Sequence, residues 1–125
     1  MEKKKIMVVD DEVDFLKIVK LNLEETGKYE ILALSSAKDI ISHVNNFRPD
    51  LILLDIVMPV VGGIDACEML NKDLLGKTIP IIIISALDKS RDKLKAYKKG
   101  VVDYIVKPIE KESLIIKIEK ALQFK

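Results

Sequence analysis

Four short stretches of this chain end in side chains able to hold a cation or accept a covalent group. Asp10 and Asp11 follow the apolar run Ile6-Met7-Val8-Val9, and Asp55 follows Leu51-Ile52-Leu53-Leu54. Ser85 follows Ile81-Ile82-Ile83-Ile84, and Lys107 stands before Pro108, three residues after Tyr104. If the first and third runs are neighbouring parallel strands, three carboxylates meet at one edge of a sheet. Two adjacent acids facing a third repel one another unless a cation lies among them. Mg2+ suits that place, being a hard ion that takes one or two carboxylates and keeps several waters. A hydroxyl and an ammonium on the same rim complete a set fitted to phosphoryl chemistry. Asp55 would be the nucleophile, with Ser85 and Lys107 as contacts for phosphoryl oxygens.

Each of these residues also has a plainer use. One of Asp10 and Asp11 could cap the following helix, Asp55 could be a strand-end turn residue, Ser85 a second cap, and Lys107 a solvated lysine before a turn. A cap needs only one acid, however, and four plain uses would have to coincide on one rim.

The elements that must position these residues can be read from hydrophobic periodicity. Strands are expected near 5–9, 29–34, 51–54, 79–84 and 102–106, alternating with helix-period segments. The first, third and fourth strands are continuously apolar, the pattern of parallel strands covered on both faces. The second and fifth carry Glu30 and Asp103 and are expected at the sheet edges. Helical stripes run through Phe15, Leu16, Val19 and Leu23; Ile40, Ile41, Val44 and Phe47; Ile64, Cys67 and Leu70; and Leu114, Ile118, Ala121 and Leu122. Ser36 with Asp39 reads as a capping-box start for the second helix, which Pro49 stops. A fourth helix, about 88–99, has only Leu94, Ala96 and Tyr97 to bury, and is therefore expected to be the most mobile. The alternation and the right-handed crossover rule give an α/β, doubly wound, five-stranded parallel sheet, (βα)5, of strand order 2-1-3-4-5. Ligands bind beyond the carboxyl ends of strands where that order reverses, between strands 1 and 3. Asp10, Asp11 and Asp55 all fall there.

Composition bounds the rest. The 125 residues, 49% hydrophobic and 33% charged, suit a single soluble domain, 1–125. No apolar stretch is long enough to span a bilayer and no signal peptide is visible, so neither membrane attachment nor export is expected. The single cysteine, Cys67, excludes an internal disulfide and fits a cytoplasmic setting. Twenty-one basic against 20 acidic residues leave no excess of positive charge, which disfavours direct nucleic-acid binding by this chain.

Val8-Val9-Asp10-Asp11-Glu12, Leu54-Asp55-Ile56-Val57-Met58-Pro59 with Gly63, Ser85-Ala86 and Lys107-Pro108 together resemble the receiver domain of bacterial response regulators, over essentially the whole chain. Four such motifs in order, at these spacings, are specific. The resemblance implies a flavodoxin-like fold and a two-component phosphorelay. In it, Asp55 accepts a phosphoryl group from a phosphohistidine of a sensor histidine kinase or phosphotransfer protein. It implies Mg2+ held by Asp10, Asp11, Asp55 and the backbone carbonyl of Val57, and a cis bond between Lys107 and Pro108. It also implies a switch in which Ser85 moves toward the phosphoryl group and Tyr104 rotates inward behind it. The face built from the fourth helix, fifth strand and fifth helix would then meet a downstream partner, an attached output domain or a second copy in a homodimer formed on phosphorylation. Ile116, off the stripe of the last helix, is expected on that face.

The chain departs from the resemblance in two places. Val60-Val61-Gly62-Gly63 stands where the family often has glycine-methionine-aspartate-glycine. Val57 and Leu87, at positions that in receivers tune loss of the phosphoryl group, are apolar and cannot orient an attacking water, so self-dephosphorylation is expected to be slow. The protein is expected to be no enzyme beyond its own phosphorylation and dephosphorylation. A phosphohydrolase on a similar sheet would want an acid at position 57. A flavin-binding protein would want a phosphate-cradling loop where Asp10-Asp11-Glu12 stands. A receiver-like interaction domain that is never phosphorylated is the remaining alternative. His43 and Cys67 read as a surface residue and a packing residue.

Overall fold

The computed structural model describes residues 2–58, 60–86 and 100–123. The segment expected as the fourth helix, 88–99, and Leu87 lie outside the described residues.

Five strands form one parallel sheet: β1 (Lys4–Val9), β2 (Tyr29–Leu34), β3 (Leu51–Leu54), β4 (Ile81–Ser85) and β5 (Val101–Val106), in the order β2-β1-β3-β4-β5. The order and the edge positions of β2 and β5 are as the sequence predicts. Helices α1 (Val13–Glu24), α2 (Ile40–Phe47) and α3 (Gly63–Lys72) alternate with the strands, a 3-10 turn (Gly76–Thr78) precedes β4, and a last helix spans Lys111–Gln123.

The two faces of the sheet carry two cores, because successive strand side chains point to opposite sides. Met7, Val9, Ile52, Leu54, Ile81 and Ile83 pack against Ile40 and Val44 of α2 and Ala66, Cys67 and Leu70 of α3. Ile6, Val8, Leu51, Leu53, Ile82 and Ile84 pack against Leu16, Val19 and Leu23 of α1 and Leu114, Ile118 and Ala121 of the last helix. Cys67 is fully buried and in no disulfide, as expected of a packing residue, and His43 is half-buried.

The start of α2 is corrected. No Ser36–Asp39 capping box forms: Asp39 itself is the N-cap residue, left-handed at φ 61°, and its side chain caps nothing. The Ser36 hydroxyl instead accepts the Lys38 backbone N–H at 3.0 Å, a local turn that competes with the box. The helix ends at Phe47, and Arg48, at φ 54° before Pro49, donates its N–H to the Val44 carbonyl at 2.8 Å.

On β5 the register against β4 skips one residue, pairing Val101 with Ile81 and Asp103 with Ile82. The skipped residue, Val102, is exposed, and the skip restores Tyr104 to the same core as Val101. At this edge Asp103 accepts from Lys117 at 3.1 Å.

Candidate functional site

The ladder does not stop at the last residue of each strand, and this fixes the site. Asp10 donates its N–H to Leu34 of β2 (3.0 Å), Asp55 donates to Val9 of β1 (2.9 Å), and Lys107 donates to Ser85 of β4 (2.8 Å). Each functional side chain therefore leaves a backbone clamped by its neighbour, at the carboxyl edge of the sheet.

At that edge Asp10, Asp11 and Asp55 each place a carboxylate oxygen within 4.8 Å of the others. Asp10 (1% exposed) and Asp55 (5%) are buried and Asp11 is exposed. Asp10 Oδ1 accepts the Glu12 N–H at 2.9 Å, while Oδ2 lacks an aligned hydrogen-bond donor among the described residues and faces the Lys107 ammonium at 2.7 Å. Neither acid caps α1: the N-cap residue is Glu12, with no side-chain cap. Burial and then the Asp10 charge push the Asp55 carboxyl up to about 6, while Lys107 and the Val57 N–H hold it down in part. That N–H reaches Asp55 Oδ1 at 3.4 Å.

The donor set fits Mg2+. All three acids are hard oxygen donors whose carboxylate oxygens lie within 4.8 Å of one another, the ligand type that Mg2+ takes alongside its waters. An ion there would also relieve the carboxylate repulsion that adds to burial in raising Asp55.

Ser85 is buried at the end of β4 and lines, with Asp11, Glu12, Asp55, Val57 and Ala86, one cleft of about 320 Å³. Val57 stands at its mouth, 55% exposed. Lys107 turns toward Asp10 and Glu12, its Nζ 2.7 Å from each, and the Lys107–Pro108 bond is cis. Burial works against its charge, but the paired Asp10 and Glu12 outweigh it and its pKa lies above the ordinary lysine value. Tyr104 is buried on the α2–α3 side of β5, paired with Ile83, two residues before Ser85. Ile116 is 59% exposed on the last helix, facing outward as expected.

Three participants had no assigned role in the sequence. Glu12 appears there only as part of a motif, yet it grips Lys107. Phe15 was one member of an apolar stripe, yet the Lys107 ammonium stands 4.2 Å from its ring centroid. Gly63 was a motif position. A side chain there would collide with the carbonyl oxygen of Asp55 and stand 2.6 Å from Cα of Ile56. The Gly63 N–H instead donates to the Ile56 carbonyl at 2.8 Å. The loop between them carries the cost of the Val60 departure: this β-branched residue, 93% exposed, holds φ 70° where glycine would be at ease.

An acidic cluster at the switch point of a doubly wound sheet, with a hydroxyl and an ammonium on the same rim, puts the candidate site of this α/β domain where such sheets bind their ligands. Residues 6–119 match the response regulator receiver domain model, and the chain belongs to that family, the receiver domains of two-component response regulators. It is 32% identical over 120 residues to the alkaline phosphatase synthesis transcriptional regulatory protein PhoP of Bacillus subtilis, covering 96% of this chain and 49% of PhoP. It is 32% identical over 118 residues to protein PilH of Pseudomonas aeruginosa, covering 94% of this chain and 97% of PilH. The chain thus spans about half the length of PhoP and nearly all of PilH. A CheY-like receiver domain protein from Methanospirillum hungatei superposes with a TM-score of 0.90 at 27% identity, over 98% of this chain and 95% of that one. Among the described residues no helix is long and apolar enough to cross a membrane.

Proposed function

We propose that this domain is a phosphoryl-accepting switch in which Asp55 is the acceptor. The observation that carries the reading is the gathering of Asp10, Asp11 and Asp55 at one sheet edge, with Lys107 and Ser85 on the same rim. A carboxylate oxygen of Asp55 attacks the phosphorus of a phosphohistidine on a partner kinase or phosphotransfer protein. The O–P bond forms as the N–P bond breaks, and the imidazole leaves with the electron pair and takes up a proton. Asp10, Asp11, Asp55 and the Val57 carbonyl would hold Mg2+, which when bound neutralises charge on the phosphoryl oxygens. Lys107 supplies a second cation and Ser85 a hydroxyl donor to those oxygens.

The added dianion favours whichever arrangement brings Ser85 and Lys107 onto it, and Tyr104, paired with Ile83 two residues before Ser85, follows. The readout surface is the face of β5 and the last helix, where Val102 and Ile116 are exposed. It meets a downstream protein, an attached output domain or a second copy. The whole unit acts as one domain in the cytoplasm, with no reaction of its own beyond gaining and losing the phosphoryl group. The apolar Val57, where a phosphohydrolase on a similar sheet would want an acid, supports this last point.

Incubation with acetyl phosphate and Mg2+ followed by intact mass tests the reading. One added phosphoryl group, absent in Asp55→Asn, is expected. An unmodified wild-type protein would mean an interaction domain that is never phosphorylated, and turnover of phosphate esters would mean a hydrolase.

A further inference from the structure

We propose that Phe15 is a positioning residue for Lys107, holding the ammonium through the face of its ring. The inference rests on the phosphoryl-accepting reading above, because Lys107 is given its role there. Nζ of Lys107 lies 4.2 Å from the Phe15 centroid, well inside the roughly 6 Å within which a cation is attracted by a ring face. The same nitrogen is 2.7 Å from Asp10 Oδ2 and 2.7 Å from Glu12 Oε1, and the lysine side chain is only 11% exposed. Two carboxylates and one aromatic face thus surround an ammonium that has little water left around it.

The carboxylates alone do not fix its place. Lysine is a point charge on a flexible four-carbon stem, with donors that rotate freely, and Glu12 is itself on the surface. Phe15 is the rigid member of the three: an aromatic ring with two torsions, on α1, half-buried against the core of the α1 face. Its partly desolvated setting is the one in which a cation–π contact is strongest. A stripe residue needed only for packing has no reason to turn its face toward a charged group from the opposite end of the chain.

Phe15 also lines a cleft of about 450 Å³ between α1 and the last helix, together with Ile18, Pro108, Ile109 and Leu114, so its ring is not enclosed on every side. Tyrosine at this position is expected to keep the ring face where it is, while leucine keeps apolar bulk and removes the face.

Two measurements on the full chain test the proposal. In proton NMR without phosphodonor, the ε-methylene protons of Lys107 are expected upfield of the other lysines, shifted by the ring. That shift should vanish in Phe15→Leu and persist in Phe15→Tyr. With acetyl phosphate and Mg2+, the rate of acyl-phosphate formation is expected to fall about two- to five-fold in Phe15→Leu, the size of one such contact, and to stay near wild type in Phe15→Tyr. An unshifted Lys107 in the wild type, or a rate that is unchanged or higher in Phe15→Leu, overturns the proposal. So does an equal fall in Phe15→Tyr, which would mark a packing role. A wild type that takes no phosphoryl group sinks the function above instead, and the NMR signature alone then decides the ring–lysine contact. Should Phe15→Leu fail to fold, Phe15→Met removes the ring with a side chain that fills irregular gaps.

Discussion

Gly63 touches the backbone of Asp55, and the first turn of α3 rests on the strand end that carries the acceptor carboxylate. With no side chain to clear, the helix start comes close enough for the Gly63 N–H to reach the Ile56 carbonyl at 2.8 Å. Asp55 is thereby held from two sides, by the β1 ladder and by α3.

Substituting Gly63→Ala should therefore act on both fold and site. A methyl group pressed against backbone cannot be absorbed by a side-chain rotation, so a loss of about 1–3 kcal/mol in urea unfolding is expected, the range for overpacking. Acyl-phosphate formation should fall as well, because Asp55 moves with its backbone. A loss below about 0.5 kcal/mol, the range of ordinary surface substitutions, would contradict the close approach.

Val60→Gly should do the reverse. Valine in the left-handed region costs roughly 1–2 kcal/mol, and glycine gives back about 0.5–1 kcal/mol of that through the freedom of the unfolded chain. Val60 is almost fully exposed, so no packing is lost. A net gain of about 0.5–1 kcal/mol is expected in the same unfolding measurement. A less stable variant would mean that Val60 makes a contact worth more than its strain.

Asp55 makes stability depend on pH in a particular direction. Its carboxyl is raised from 3.8 to about 6, so the folded protein holds this proton more tightly than the unfolded chain does. Below 3.8 the group is neutral in both states and contributes nothing. Between 3.8 and 6 the unfolded chain gives up the proton while the fold still holds it, so the metal-free protein loses stability across that window and stays destabilised above it. Asp55→Asn should melt higher than wild type at pH 7.5, by at most about 3 kcal/mol in stability, and close to it near pH 4. Mg2+ should narrow the gap at pH 7.5, and EDTA should restore it. A gap independent of pH would place the cost elsewhere.

Loss of the phosphoryl group should be slow because Val57, exposed at the mouth of the cleft, has no polar side-chain atom with which to aim water. Val57→Asn is expected to speed acyl-phosphate decay about three- to tenfold, short of the ~10²-fold of a full general base. Leu87→Glu, whose position lies outside the described residues, should act in the same direction. Unchanged or slower decay in both variants would refute the expectation.

Ile116→Glu should weaken association that depends on phosphorylation if the face of β5 and the last helix is used by a second copy. Sedimentation before and after acetyl phosphate treatment checks this, and an unaltered shift would exclude Ile116 from the contact.

The apolar runs Ile6–Val9, Leu51–Leu54 and Ile81–Ile84 were legible as buried parallel strands because burial on both faces leaves no polar position to disguise the pattern. From them followed the strand order, the edge placement of Glu30 and Asp103, and the convergence of Asp10, Asp11 and Asp55, since a parallel sheet must bring carboxyl ends together. Less legible were features in which several local solutions compete. Ser36 had two turn geometries within reach and took the one that does not cap α2. The skipped residue at Val102, which sets the face of Tyr104, depends on the register of β4 against β5 and leaves no periodic signal in an edge strand.

Sequence by itself determined which chemical groups stand at the strand ends, because strand periodicity and topology are local and combinatorial properties of the chain. The partners of those groups were decided only by tertiary packing. Glu12 and Lys107 are 95 residues apart, and their contact, like that of Phe15 with the same ammonium, exists because the fold brings the start of α1 and the turn after β5 to the same edge of the sheet. The strain at Val60 and the clearance at Gly63 have the same origin: they depend on how closely α3 settles on the end of β3, a distance set by packing rather than by residue type.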